Sequence, residues 1–282
     1  MGCETKLPDQ KSSEPIINSD TTDIKQTTID VVGNNDEFIK ETIEKCNCTD
    51  FDKFKTYGHQ KTDLSFFIYN QSFNKSDSIF NLYSSDSLRQ TIKSIRFSGF
   101  DTIPKKFRVF KNVEHIVIES RKNIKGLDLF TNLKSVFFWG SQIDIDPSEK
   151  WLNRLEGLYA EKSHLKGLES FKTTPKLKDI YFAHSNLEPF PADFDKLKCL
   201  RRITLGAYLK RGGVADLTLI DLALNPCLEK IEFNTWDDAF SGIPKGLETD
   251  RIFKLIINHQ KLTKEEKEII KAFNDKNKKA SP

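Results

Sequence analysis

Leu133-x-x-Val136-x-Phe138, Leu155-x-x-Leu158-x-Ala160 and Leu177-x-x-Ile180-x-Phe182 are three copies of one pattern. Each is followed by a serine (Ser141, Ser163, Ser185) and, two residues later, by an aliphatic side chain (Ile143, Leu165, Leu187). The copies recur with a period of 22 residues. A period of this size marks a chain built from stacked units, each burying its apolar face against its neighbours.

Working outward, the same anchor recurs at Ile92, Val113, Leu133, Leu155, Leu177, Leu200, Leu228 and Ile252, each with apolar residues three and five positions on. The spacings are 21, 20, 22, 22, 23, 28 and 24 residues. This pattern resembles the leucine-rich-repeat family, whose unit is Leu-x-x-Leu-x-Leu-x-x-Asn-x-Leu. The resemblance covers residues 90 to 275 and implies an α/β repeat: a right-handed solenoid with a concave parallel β-sheet, capped at both ends. It also implies a recognition scaffold. The family asparagine is serine in the three best copies, and Phe100, Arg121 or Gln260 elsewhere; a serine hydroxyl can do part of the asparagine's work. Prolines at Pro104, Pro189, Pro191 and Pro244 suit an irregular convex side rather than long helices.

The expected domains are a tether over residues 1–35, an N-terminal cap over 36–90, the repeats over 91–262, and a closing helix and tail over 263–282. Residues 4 to 35 hold too few large apolar side chains to offset the entropy of ordering. A helix is expected from Asn34, with Phe38, Ile39, Ile43 and Cys46 on one stripe. Leu64-x-x-Phe67-x-Tyr69 reads as a faint copy of the repeat. The 28-residue unit holds an insertion, Tyr208 to Gly213, ahead of an apolar stretch, Val214 to Leu224, where a short helix is expected. Thr263 to Glu266 is a capping box, and Ile269, Ile270 and Phe273 give the ensuing helix an apolar side.

Met1-Gly2-Cys3 before a polar segment resembles the start of a mature bacterial lipoprotein. In that family an apolar export leader precedes the cysteine, and the cysteine carries the lipid. The resemblance implies lipidation at Cys3 and a place in the bacterial cell envelope, on the periplasmic or surface side of the outer membrane. A eukaryotic start with acylated Gly2 and Cys3 asks for Ser or Thr at position 6, where Lys6 stands. A cytoplasmic adaptor is the alternative.

Lys and Arg number 44 against 41 Asp and Glu, so no strong basic field points to nucleic acid. Cys46-x-Cys48 lacks a second metal-spaced pair, with His59 the nearest candidate; His164, His184 and Glu161 form another weak metal set. No cofactor and no catalytic motif is read. Cys199 and Cys227 each precede an anchor, and strands about 4.8 Å apart fall within the span that a disulfide bridges. Two stacked thiols is the other reading.

In each strand the consensus residues point inward and those between them point outward. The central outward column is Arg96, Val117, Phe137, Tyr159, Tyr181, Thr204, Glu232 and Ile256. Phe137, Trp139, Tyr159 and Tyr181 are therefore expected side by side on the surface of three strands, rimmed by Glu119, Glu161, Asp179, His184 and Arg202. An apolar aromatic centre with a charged border suits a protein partner, and aromatic faces also suit a glycan. The expected function is a non-enzymatic, protein-binding, lipid-anchored repeat protein; a structural or toxin-neutralising envelope protein acting through the rim charges is the second reading. An aromatic ladder that only stabilises adjacent strands, or a surface covered by the cap or insertion, is the plain structural reading.

Overall fold

The computed structural model describes residues 64–67, 85–120, 123–169, 171–189, 193–206, 214–234, 240–247, 254–258 and 261–278. The tether, the helix expected from Asn34, the Cys46–Cys48 pair, His59 and the Tyr208 to Gly213 insertion lie outside these residues. The described strands are β1 (Leu64–Phe67), β2 (Ser94–Ser98), β3 (His115–Glu119), β4 (Ser135–Trp139), β5 (Gln142–Asp144), β6 (Gly157–Glu161) and β7 (His164–Lys166). They continue with β8 (Asp179–Ala183), β9 (Asn186–Glu188), β10 (Arg202–Gly206), β11 (Ala215–Asp216), β12 (Lys230–Asn234), β13 (Phe240–Ser241) and β14 (Lys254–Asn258). Helices α1 (Asp86–Thr91) and α2 (Lys264–Lys278) flank the repeats.

β1, β2, β3, β4, β6, β8, β10, β12 and β14 form one nine-stranded parallel sheet in that order. Neighbouring strands pair repeat on repeat, as in Val136 opposite Leu158 opposite Ile180 opposite Ile203. Among the described residues the consensus side chains from β2 to β14 point into one continuous core. Ile95, Phe97, Ile116, Ile118, Val136, Phe138, Leu158, Ala160, Ile180, Phe182, Ile203, Leu205, Ile231 and Phe233 are buried there with the anchors behind them. This is the architecture of a leucine-rich-repeat solenoid. The opposite side returns through short 3₁₀ turns such as Lys105–Val109, Lys150–Arg154 and Phe194–Lys196, and through a second parallel sheet, β5-β7-β9. Phenylalanines fill that side: Phe97 meets Phe107 and Phe100 edge-on at 5.0 and 5.2 Å, and Phe171 meets Phe194 at 4.8 Å. Edge-on contacts at these distances suit the ring quadrupole.

The serines do replace the family asparagine. Ser141 Oγ accepts from the Ser120 amide at 3.2 Å, Ser163 Oγ from the Ser141 amide at 3.0 Å, and Ser185 Oγ from the Ser163 amide at 2.9 Å. Each hydroxyl lies within donating distance of carbonyls of its own or the preceding strand, as Ser163 Oγ does of Phe138 O at 3.0 Å. All three serines are buried, and their ladder satisfies amides that the turn would otherwise strand away from water.

A second ladder runs one residue ahead of the strands and was not anticipated. That slot holds Lys93, Glu114, Lys134, Glu156, Lys178, Arg201 and Glu229. Glu114 pairs with Lys93 at 3.2 Å and Lys134 at 2.8 Å, Glu156 with Lys178 at 3.1 Å, and Glu229 with Arg201 at 2.9 Å. The two lysines hold the Glu114 carboxyl below its ordinary value, against the opposing pull of partial burial, which is the largest single effect on it. Opposite charges meet on every pair of adjacent rungs except Lys178 and Arg201, and these pairings support the observed register.

Three expectations are corrected. Leu64 pairs with Ile95 and Phe66 with Phe97, so these two take the slots read for Phe67 and Tyr69, and the faint N-terminal copy sits three residues earlier than read. The apolar stretch after the insertion forms β11 and two 3₁₀ turns, Leu217–Leu219 and Leu222–Leu224, instead of a helix. Asp216 and Asp221 each accept from the amide two residues on and set the start of these turns. In α2, Ile270 and Phe273 are buried with Leu262, but Ile269 is 43% exposed, because its direction lies off the stripe that meets the last strand. The capping box forms as read, with Thr263 N–H donating to Glu266 at 2.8 Å and Glu266 N–H to Thr263 Oγ at 3.1 Å. Cys199 and Cys227 are disulfide-bonded. Among the described residues no helix is long and apolar enough to cross a membrane.

Candidate binding face

The face of the nine-stranded sheet turned away from the core carries the central outward column and the outward residues two positions before and after it in each strand, and strand pairing aligns them as the alternation requires. Phe137 lies opposite Tyr159, Tyr159 opposite Tyr181, Tyr181 opposite Thr204 and Thr204 opposite Glu232. The register is as read; the exposure is not. Phe137 is only 2% exposed and Tyr159 1%, and with Val117 they form a small apolar cluster of their own. Trp139 and Tyr181 pack against it and stay half-buried. Bulky side chains one strand spacing apart shield one another, so the expected four-ring surface is largely a closed cluster.

Tyr159 is closed in by a device that column reading misses. Its neighbour two residues back is Gly157, where a Cβ would stand 2.5 Å from the phenol oxygen and 2.6 Å from the ring. Only glycine leaves that space, so the ring leans over residue 157. The hydroxyl then donates to Asp179 Oδ2 at 3.1 Å, on the next strand. Arg202, one strand further, donates to the same oxygen at 2.5 Å. Asp179 is 3% exposed, so it lies beneath the face and not on its rim. Burial, the largest effect, raises its carboxyl above the ordinary range, opposed by Arg202 and the Tyr159 hydroxyl. Burial and then the adjacent Asp179 charge push the Tyr159 phenol well above its ordinary value of 10.0.

Glu119 is likewise engaged away from the central cluster. It pairs with Arg96 at 3.1 Å and accepts from Ser98 Oγ at 2.5 Å. The Arg96 guanidinium stands 5.9 Å from the centre of the Trp139 ring, a cation–π distance. This half of the face is thus filled by its own side chains.

Beyond Tyr159 the face opens. A groove of about 500 Å³ is lined by Phe137, Tyr159, Glu161, Asp179, Tyr181 and Arg202 from the anticipated set, and by Ala183, Thr204, Gly206, Lys230 and Glu232, which were not singled out. Ala183 and Gly206 are paired neighbours in one column, and Thr204 lies beside Tyr181 in the next. These small side chains make the floor; Glu161 stands on one side and the Lys230–Glu232 pair, 2.9 Å apart, on the other. The legible signal was a run of small residues within columns otherwise bulky. Burial, then Glu161 and Glu232, raise the Tyr181 phenol above its ordinary value.

The remaining sequence candidates fall elsewhere. His184 is exposed in the turn after β8 with φ 50°, and does not line the groove. His164, on β7, lies with Nε2 2.5 Å from the Glu188 carboxylate. Among the described residues no group of three or more His, Cys, Asp or Glu is placed to hold a metal ion.

No family model and no curated protein matches this chain. Among solved structures it is similar to an internalin from Listeria monocytogenes, with TM-score 0.44 and 10% identity over 62% of this chain and 50% of that one. It is also similar to the leucine-rich-repeat ectodomain of the plant membrane receptor kinase GASSHO1/SCHENGEN3 from Arabidopsis thaliana, solved in complex with CASPARIAN STRIP INTEGRITY FACTOR 2. There the TM-score is 0.34, with 12% identity over 51% of this chain and 18% of that one. This chain therefore spans half the length of the internalin and less than a fifth of the receptor. The fold rests on the strand register and the buried columns above.

Proposed function

We propose that this protein is a non-enzymatic recognition module that binds a protein partner in the groove between Tyr159 and Glu232. The observation that carries the proposal is the groove itself. A sheet face that its own side chains fill over β3 and β4 becomes a depression of about 500 Å³ over β8 and β10, with an aromatic ring, a small-residue floor and charged walls. Apolar lining with a few placed polar groups is the usual make-up of a binding cleft.

Gly206 provides the test. A Cβ added there meets only the Phe182 carbonyl, at 4.0 Å, so Gly206→Leu fills the groove without a backbone clash. Peptides recovered by panning a random library on the full chain are expected to lose at least tenfold in affinity on Gly206→Leu, with the melting temperature unchanged. Binders indifferent to the filled groove would refute the site.

Export and anchoring belong to the same proposal. The Cys199–Cys227 disulfide suits an oxidising compartment, and Cys3 heads the segment that resembles a lipoprotein start. Mass spectrometry of the membrane-fraction protein should find acyl groups on Cys3 that Cys3→Ser removes; an unmodified Cys3 would cancel the anchor.

A further inference from the structure

We infer that the groove receives an aromatic side chain displayed by the partner; this rests on the recognition role proposed above and names the chemistry of its occupant. The central outward column runs Val117, Phe137, Tyr159, Tyr181 and Thr204, each paired with the next across the sheet. Phe137 and Tyr159 cluster, and Tyr181 packs against them. On β10 the row of rings stops at Thr204, a side chain too short to cover one. The next column repeats the change. Trp139 packs against the cluster, whereas Ala183 and Gly206 put almost no bulk in the same column on β8 and β10. The groove is the place where the row lacks one more ring.

The charges of the lining point to an uncharged occupant. Arg202 is paired with Asp179, Lys230 with Glu232, and Glu161 is engaged as well. An incoming ion gains no unmatched partner there, and giving up its water is costly. What the lining leaves uncovered is apolar: the half-buried Tyr181 ring on its Thr204 side, and the floor of Ala183 and Gly206. A ring seated above β10 stands one strand spacing from Tyr181, about 4.8 Å, inside the ~4.5–7 Å over which aromatic pairs attract. An aliphatic side chain fills the same space without that pairing. A ring also turns a positive edge outward, toward Glu161 and Glu232, whose charges both reach the Tyr181 phenol. The glutamates therefore meet a favourable dipole rather than bare hydrocarbon.

Peptides recovered on the full chain are resynthesised with each aromatic residue replaced in turn by alanine or by cyclohexylalanine, which keeps the bulk and removes the π face, and are titrated calorimetrically. One position in each peptide is expected to lose at least tenfold on alanine and roughly threefold on cyclohexylalanine. Thr204→Phe supplies the missing ring from the chain itself, and is expected to abolish binding with the melting temperature unchanged or raised. Peptides without an aromatic residue, peptides indifferent to cyclohexylalanine at every position, or a folded Thr204→Phe that still binds overturn the aromatic inference; with binding lost on Gly206→Leu, the recognition role stands. Binding that survives Gly206→Leu overturns both.

Discussion

The two halves of the outward sheet face are built on the same backbone and differ only in what stands in its columns. Over β3, β4 and β6 the columns hold Val117, Phe137, Trp139 and Tyr159, and the face closes on itself. Over β8 and β10 they hold Ala183, Thr204 and Gly206, and a groove results. The difference teaches that a parallel repeat sheet offers a flat lattice, and that the volume of successive outward side chains decides where it becomes a second core and where a groove. Tyr159 and Asp179 lie at the seam between the two regimes.

If the first half is a true second core, Phe137→Ala should cost about 3–5 kcal/mol, as for other buried aromatics, whereas Tyr181→Ala in the half-open region should cost much less. Chemical denaturation of both variants checks this; equal costs would erase the distinction between the halves. Asp179→Ala removes the buried carboxylate that the Arg202 guanidinium and the Tyr159 hydroxyl share, and a loss of about 3 kcal/mol is expected. A loss well below about 1 kcal/mol would mean that the seam is not a buried network.

Tyr159→Phe removes one hydrogen bond to a buried carboxyl and should cost about 1.5–3 kcal/mol near neutral pH. Because the folded phenol is raised above its ordinary value of 10.0, its contribution is full below that value and is lost as pH climbs through the folded pKa. The gap between wild type and Tyr159→Phe should therefore narrow at alkaline pH; a constant gap would contradict the buried phenol. The smallest effect is expected at Lys162, which holds φ 52° where Gly140 stands one turn earlier with φ 58°. Lys162→Gly relieves a left-handed strain of about 1–2 kcal/mol but returns part of it as unfolded-chain entropy, so a net stabilisation below about 1 kcal/mol is expected, without change in ligand affinity.

Much of the fold was legible because its code is local. Aliphatic side chains three and five residues after each anchor specify both the strand and its inner face, and Ile95 through Phe233 bury as that spacing demands. The serine ladder was legible for the same reason. The register of β1 was not, since Leu64-Ser-Phe-Phe-Ile-Tyr69 is apolar at nearly every position and alternation cannot choose between Phe66 and Phe67. The charge ladder from Lys93 to Glu229 stood at a constant offset and could have been read.

The site was half legible. Alternation put Tyr159 on the outward face, but its burial depends on Gly157 behind it and Asp179 across from it, which together turn an exposed-looking tyrosine into a buried hydrogen-bond donor. The groove escaped notice because it is made by missing bulk at Ala183, Thr204 and Gly206, and a search for chemically conspicuous residues passes over small ones. Arg202 was found for its charge; its engagement with Asp179 required the neighbouring strand.

The Cys199–Cys227 disulfide precedes β10 and β12 by only a few residues. Those two strands are paired neighbours and carry Thr204 and Gly206 on the floor of the depression and Lys230 and Glu232 on the wall beside them. A cross-link there keeps floor and wall joined covalently where the hydrogen bonds between the two strands open.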